Sequence, residues 1–290
     1  MNVLTAFQQN PVFFYLVSGI LGLLVGSFLN VVIYRLPKMM ETEWKQECRT
    51  LLGIDDNNGL EPVFNLVLPG SSCQSCNSKI RPLDNIPVIS YLLLHGKCRN
   101  CQQRISIRYP IIELTSCLLI VAVAMEFGVS LQTFFTFLFT WSLIALTVID
   151  LDHKLLPDSI TLPFMWLGII CNLFGLFTDI ESSLFGVIFG YLVLWSVFIV
   201  FKLFTGKEGM GYGDFKLLAM LGAWLGWQYL PLIIILSSFT GSIVGIGLLL
   251  LSKHKQSQPI PFGPFLAIAG FIALMYGDLL TGLYINWAFN

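Results

Sequence analysis

The chain has 290 residues, of which 56% are hydrophobic and 11% charged, and its net charge is −1. A soluble globular domain carries roughly 25% charged residues. Together with a mean hydropathy of +0.77, this excludes a soluble globular domain and implies an all-α polytopic membrane protein. The net charge itself says nothing about partners; its distribution does.

The N-terminal stretch MNVLTAFQQNPVFFYLVSGILGLLVGSFLNVVIYRLPK has no Lys or Arg before its first apolar run. A secretory signal peptide would begin with a basic segment, so this run is expected to be a retained membrane helix. Arg35 and Lys38 follow it, which predicts the N-terminus outside and Arg35 inside. A spanning helix needs about 17–25 mostly apolar residues. That length predicts spans near 12–34, 111–128, 131–150, 159–178, 183–204, 215–230, 231–252 and 262–285. The total is about eight, the span at 215–230 is short, and Tyr229-Leu230-Pro231 suits a tight helix–helix turn. The expected organisation is a first transmembrane helix (1–34), a long cytoplasmic loop domain (35–110) and a seven-helix membrane domain (111–290).

Of the 16 Lys and Arg residues, ten lie between Arg35 and Arg108; the others are Lys154, Lys202, Lys207, Lys216, Lys253 and Lys255. With eight spans and an outside N-terminus, all of them fall in cytoplasmic loops or at cytoplasmic helix ends. Small residues recur four apart at Gly22/Gly26, Gly186/Gly190, Gly222/Gly226 and Gly241/Gly245, which predicts close helix–helix packing.

The loop at 35–110 holds CQSC at 73–76 and CRNC at 98–101. Paired thiolates at C-x2-C-x21-C-x2-C spacing suit one tetrahedral zinc held between two turns. The alternative is two disulfides, which a cytoplasmic location disfavours. Four Cys ligands leave no open position, so such a zinc is structural. Cys48 is a lone loop thiol, Cys117 and Cys171 read as small apolar residues within spans, and His95 reads as a surface residue. The flanking stretches EPVFNLVLPGSSC (61–73) and NIPVISYLLLHGKC (85–98) specify no reaction by their physics, and a zinc-pinned docking platform fits them too.

Acids in or at the edge of a span are functional candidates. Asp150 ends the third span, with Asp152 and Asp158 after it; Asp214 opens the sixth; Glu113 and Glu126 lie in the second. Asp158 follows Pro157 at a normal N-cap position. YGD occurs twice, at 212–214 and 276–278, but only Asp214 shares a membrane face with Asp150. Asp278 reads as a polar contact near the outer interface. Two carboxylates facing each other across helices can share a proton, the ionised one activating water and the protonated one donating to a carbonyl oxygen. Gly211 and Gly213 beside Asp214 would give a substrate backbone clearance. The competing reading makes Gly209–Gly213 a turn and Asp214 a helix N-cap. Of the possible partners, Asp150 is the most deeply embedded.

GSFLNVVIYRLP (26–37), EPVFNLVLPGSSCQSC (61–76), NIPVISYLLLHGKCRNC (85–101), IDLDHKLLPD (149–158) and GMGYGDFK (209–216) together resemble the type IV prepilin peptidases, a family of membrane aspartyl proteases, over nearly the whole chain. The resemblance implies cleavage of short basic leaders from prepilins and pseudopilins after a Gly, at the cytoplasmic face of a bacterial inner membrane. It implies that Asp150 and Asp214 are the catalytic pair. It implies N-methylation of the new terminus with S-adenosylmethionine as co-substrate, with Cys73, Cys76, Cys98 and Cys101 as zinc ligands and Gly96 and Lys97 in the methylation-linked segment. The partners it implies are prepilins and membrane lipid, with no nucleic acid. The chain has no glycine-rich dinucleotide-type motif, so the methyl-donor site is expected to be unconventional. A proton-coupled transporter using the same two acids is the alternative from another class; it calls for acids near mid-bilayer and an internal repeat.

Overall fold

The computed structural model describes residues 3–54, 64–73, 75–251 and 260–289. Lys253 and Lys255, like residues 61–63 of the first loop motif, lie outside the described residues. The described chain is helical: α1 (Val3–Gln9), α2 (Pro11–Leu51), α3 (Ile89–Leu93), α4 (Arg108–Phe127), α5 (Leu131–His153), α6 (Asp158–Leu173), α7 (Ile180–Thr205), α8 (Tyr212–Leu225), α9 (Leu230–Leu250) and α10 (Gly263–Phe289). Each predicted span coincides with one of α2 and α4–α10. Among the described residues, six helices are long and apolar enough to cross a membrane by length and composition; α6 and α8, with 16 and 14 residues, are shorter. The chain divides into two compact units, Met1–Val129 and Ser130–Asn290. The second predicted span thus groups with the first rather than with the six that follow.

In the first unit α2 and α4 lie together because glycine lets their backbones approach. A Cβ on Gly22 would stand 2.8 Å from Cys117 Cα, and one on Gly26 would stand 2.9 Å from Glu113 Cα. Ser116 Oγ donates to the Gly22 carbonyl at 2.6 Å. Apolar residues Val12, Leu16, Ile20 and Leu24 line an exposed face of α2, as expected of a helix whose outer side meets lipid rather than water.

One difference from expectation concerns the length of α2, which runs 17 residues past its apolar stretch, to Leu51. The polar segment after Arg35 begins as helix because KMMETEWKQECRTL is rich in helix formers. A Glu41–Lys45 ion pair at i,i+4 adds to it. Cys48 is therefore an exposed helical residue rather than a loop thiol.

In the second unit α8 is the central helix. From Asp214 to Leu225 every residue except Lys216 is buried. It is enclosed by α7, α6 and α10, and its contact with α7 is backbone on backbone. A Cβ on Gly186 would come 2.2 Å from the Gly222 carbonyl oxygen, and one on Gly190 would come 2.7 Å from the Leu218 carbonyl oxygen. The Gly241 and Gly245 pair is looser, facing Phe265 and Ile260 at 3.4 and 3.5 Å. Backbone cannot yield as a flexible side chain does, so Gly222→Ala is expected to cost about 3 kcal/mol. It should appear as a lowered melting temperature of the detergent-solubilised protein, whereas Gly241→Ala should leave that temperature near wild type.

The far end of α8 is held by a buried amide that the sequence reading passed over. Asn172 Nδ2 donates to the carbonyls of Ala223 and Trp224, and its Oδ1 accepts from the Phe177 and Thr178 N–H groups. Four hydrogen bonds satisfy an otherwise costly buried group. Ser183 Oγ adds a further donor to the Ala223 carbonyl. The second YGD copy is also structural. Helix α10 kinks at Tyr276, Tyr229 packs its ring against Gly277, and its hydroxyl donates to Asp278.

Candidate active site and candidate metal centre

Asp150 and Asp214 come from helix ends that the second unit gathers at one end. Asp150 lies in the last turn of α5, which closes on Lys154 in a left-handed cap. Asp214 lies in the first turn of α8. They are 5% and 7% exposed, and Leu156 packs against the glycine beside each, Gly263 and Gly213. Asp150 Oδ2 accepts the Gly263 N–H at 3.0 Å, and Asp214 Oδ2 accepts the Gly211 N–H at 3.3 Å. Asp214 is not the helix N-cap: Gly211 holds that position, and Asp214 sits three residues in, reaching back to it.

The three glycines before Asp214 do different things. Gly209 lies against the Phe201 ring, and a Cβ there would come within 2.8 Å of it. A Cβ on Gly211 would meet only its own turn, Asp214 Oδ2 at 3.8 Å and Gly213 N at 4.0 Å, both ordinary contacts. Gly213 faces the side chain of Leu156, where a Cβ would stand 2.8 Å from Leu156 Cβ. Gly213 therefore makes room for Leu156, and Gly211 is the one that leaves space beside the carboxylate. The start of α8 is anchored by an aromatic cluster of Phe198, Tyr212 and Phe215.

Asp158 does not cap α6; Pro157 precedes the helix and Asp158 is its first residue. Its carboxylate instead accepts from Lys216 Nζ at 2.7 and 2.8 Å. This pair ties the start of α6 to the first turn of α8, beside Asp214 in the chain. Asp152 is exposed. Asp158 and Asp152 are thus solvated, and only Asp150 joins Asp214 in a buried pair.

The first unit holds the four cysteines in two matching turns. In the first, the Cys73 N–H donates to the Ser78 carbonyl and the Asn77 N–H to the Cys73 carbonyl, with Ser72 and Lys79 paired antiparallel. In the second, Cys98 and Gln102 repeat this with Gln103 closing the turn, and Lys97 pairs with Arg104. Asn77 and Gln102 take the same left-handed backbone, with φ of 54° and 58°. The Sγ atoms of Cys73, Cys76, Cys98 and Cys101 all lie within 4.8 Å of one another, and those of Cys73 and Cys101 are 3.7 Å apart. A tetrahedral zinc with Zn–S bonds of about 2.3 Å would hold its sulfurs about 3.8 Å apart, so the four thiols fit that ion. The Ser78 hydroxyl, 2.9 Å from Cys76 Sγ, contributes most to lowering the Cys76 thiol to about 6. Backbone N–H groups of Cys101 and Asn100 lower Cys98. Both effects favour the thiolate, the form that binds metal. The Arg99 guanidinium grips Asp84 from the second turn.

Gly96 is buried just before the second turn, with φ of 66°. Its N–H donates to the Tyr91 carbonyl, and its own carbonyl accepts from Ile105. A Cβ there would press on the Tyr91 hydroxyl at 2.9 Å. Lys97 beside it is exposed, as is His95.

Three further polar side chains anchor this unit, of which Glu113 was already a candidate as an acid at a span edge. Arg35, 8% exposed, reaches from α2 to the carbonyls of Asn65 and Pro69 at 2.9 and 2.6 Å. Asn30 bridges the carbonyls of Gly26 and Tyr109. Buried Glu113 accepts the N–H of Val88 at 2.7 Å, which holds a β-branched residue at φ 59°. Arg35 carried a signal, since it stands in the same set of motifs as the 61–76 segment that it grips.

Two family models match the chain: the bacterial peptidase A24 N-terminal domain over residues 20–127 and the type IV leader peptidase family over residues 137–246. Each falls within one of the compact units. Among curated proteins, the chain is 55% identical over 288 residues to a prepilin leader peptidase/N-methyltransferase of Pseudomonas aeruginosa, covering 99% of both chains. It is 54% identical over 276 residues to the protein of that name from Aeromonas hydrophila, covering 95% of both. It is 43% identical over 278 residues to the one from Legionella pneumophila, covering 96% of both. No solved structure matches. With relatives this similar over their full length, the chain belongs to the type IV leader peptidase family, as a member that also carries the A24 N-terminal domain.

Proposed function

We propose that this chain is a bifunctional processing enzyme of a bacterial inner membrane. It cleaves the basic leader from type IV prepilins and pseudopilins after a Gly, at the cytoplasmic face, and methylates the new N-terminal amine. The names and lengths of its relatives support both activities. The observation that carries the peptidase reading is the pair of buried carboxylates Asp150 and Asp214, with Leu156 packed between Gly263 and Gly213, the glycines beside each of them.

In this reading the pair shares one proton. The ionised carboxylate takes a proton from water, and the oxygen attacks the scissile carbonyl carbon. The protonated partner gives its proton to the carbonyl oxygen. On collapse, the carboxyl that took the water proton passes it to the departing amine, and its partner takes a proton back from the hydroxyl that becomes the new carbonyl, so the pair ends as it began. Gly211 lets the extended substrate backbone approach. Lys154, Lys202, Lys207 and Lys216 lie near the same helix ends, which supports a cytoplasmic active site and a periplasmic N-terminus.

Cys73, Cys76, Cys98 and Cys101 would hold one zinc ion, which with four protein ligands braces the loop and leaves no site for substrate. S-adenosylmethionine supplies the methyl group. Gly96 and Lys97 serve this second activity in our reading, Gly96 by setting the turn and Lys97 as the exposed side chain next to it. Nothing in the described residues favours the transporter alternative.

The test is the purified protein in detergent with a prepilin-like substrate peptide, read by mass spectrometry. A product cut after Gly, gaining a methyl group only when S-adenosylmethionine is added, supports the proposal. An intact peptide under conditions where the protein remains folded rejects it.

A further inference from the structure

Asp150 is held by the start of a helix 113 residues downstream. The first turn of a helix has N–H groups without partners inside the helix. In α10 these are few. Pro264 has no N–H, and the Phe265 N–H goes to the Phe262 carbonyl at 3.1 Å. The Gly263 N–H is the one that turns outward, and it donates to Asp150 Oδ2 at 3.0 Å. The same residue must lack a side chain. A Cβ on Gly263 would stand 2.6 Å from Asp150 Oδ2, 3.2 Å from its Cγ and 3.2 Å from Leu156 Cδ1. Leu156 in turn packs against Gly213, next to Asp214. One leucine is therefore wedged between two glycines, each beside one of the two acids.

We propose that Gly263 is a positioning residue for leader cleavage: its N–H fixes the carboxylate of Asp150, and its missing side chain leaves the room that the carboxylate and Leu156 share. The inference rests on the reading of Asp150 and Asp214 as the cleaving pair. Gly263→Ala keeps the donor but pushes the carboxylate off its seat. Displacing a reacting group by about 1 Å costs about 100-fold in rate, so kcat should fall about 100-fold with KM nearly unchanged, because the substrate-facing surface at Gly211 is untouched.

A structural control lies in the same helix. A Cβ on Gly270 would meet Leu221 Cδ2 at 2.5 Å, far along α10 from the acids, so Gly270→Ala disturbs packing alone. Kinetics of leader cleavage and melting temperatures would be measured in detergent for the wild type, Gly263→Ala, Gly270→Ala, Asp150→Asn, Leu156→Ala and the double variant Gly263→Ala/Leu156→Ala. The double variant relieves the overlap with Leu156 but not that with Asp150, and serves if Gly263→Ala alone does not fold. The expected result is a kcat loss of about 100-fold for Gly263→Ala, retained in the double variant relative to Leu156→Ala, and absent from Gly270→Ala at equal or greater loss of melting temperature. A Gly263→Ala or double variant with kcat close to its reference would overturn the proposal, as would an equal kcat loss in Gly270→Ala. If Asp150→Asn itself still cleaves, the failure lies with the catalytic pair and not with Gly263 alone.

Discussion

Asp150→Asn and Asp214→Asn should each lower the rate of leader cleavage by about 10⁴-fold, the scale of a lost general acid or base, while the protein still inserts and folds. Asn keeps the size of the side chain and its ability to accept the N–H of Gly263 or Gly211, so the variants remove the ionisable proton and little else. Asp158→Asn should behave differently. It weakens an ion pair whose groups are half exposed, 31% for Lys216 and 52% for Asp158, and such pairs contribute about 0–1 kcal/mol. Its expected cleavage rate is within a few-fold of wild type. The contrast between Asp150 and Asp158, eight residues apart in one motif, follows from burial and from the Lys216 ion pair that Asp158 makes.

Cys98→Ser should release the metal from the first unit. Ser is a poor zinc ligand, and a structural zinc site contributes directly to folding. Metal content per chain, measured by plasma emission, should drop from about one to near zero. The two turns closed by Ser78 and Gln103 are otherwise held by few hydrogen bonds, and protease digestion should reveal the loosened loop. Methyl transfer to a pre-cleaved peptide should fall with the metal. A variant with unchanged zinc content would contradict the four-cysteine site.

The spans were legible because each is a continuous apolar run, and the helix–helix contacts were legible in part from glycines four apart. Gly186 and Gly222 meet as that pattern implies, whereas Gly241 and Gly245 do not approach backbone so closely. The helical extension from Lys38 to Leu51 was hidden by polarity: a helix outside the membrane has no apolar run to announce it, and its signal was the Glu41–Lys45 spacing. The gathering of Cys73, Cys76, Cys98 and Cys101 was legible, because C-x2-C spacing is set by local geometry. Asp150 and Asp214 could be singled out as acids at helix ends on one membrane face. Their hydrogen bonds were less legible. The Gly211 bond is local and follows the N3 position of Asp214. The Gly263 bond joins residues far apart in the chain, and the predicted span at 262–285 placed Gly263 at a helix start without showing which carboxylate its N–H meets. Asn172 and Arg35 share this character: each satisfies carbonyls remote in sequence, which no local pattern encodes.

The account rests on Asp150 and Asp214 acting as one catalytic unit. The most direct test compares kcat for leader cleavage in Asp150→Asn, Asp214→Asn and the double variant, on protein shown to be folded. Groups that act as a unit lose their effect together. The expected result is that each single variant is about as inactive as the double. Substantial cleavage by either single variant, or losses that multiply in the double variant, would contradict it.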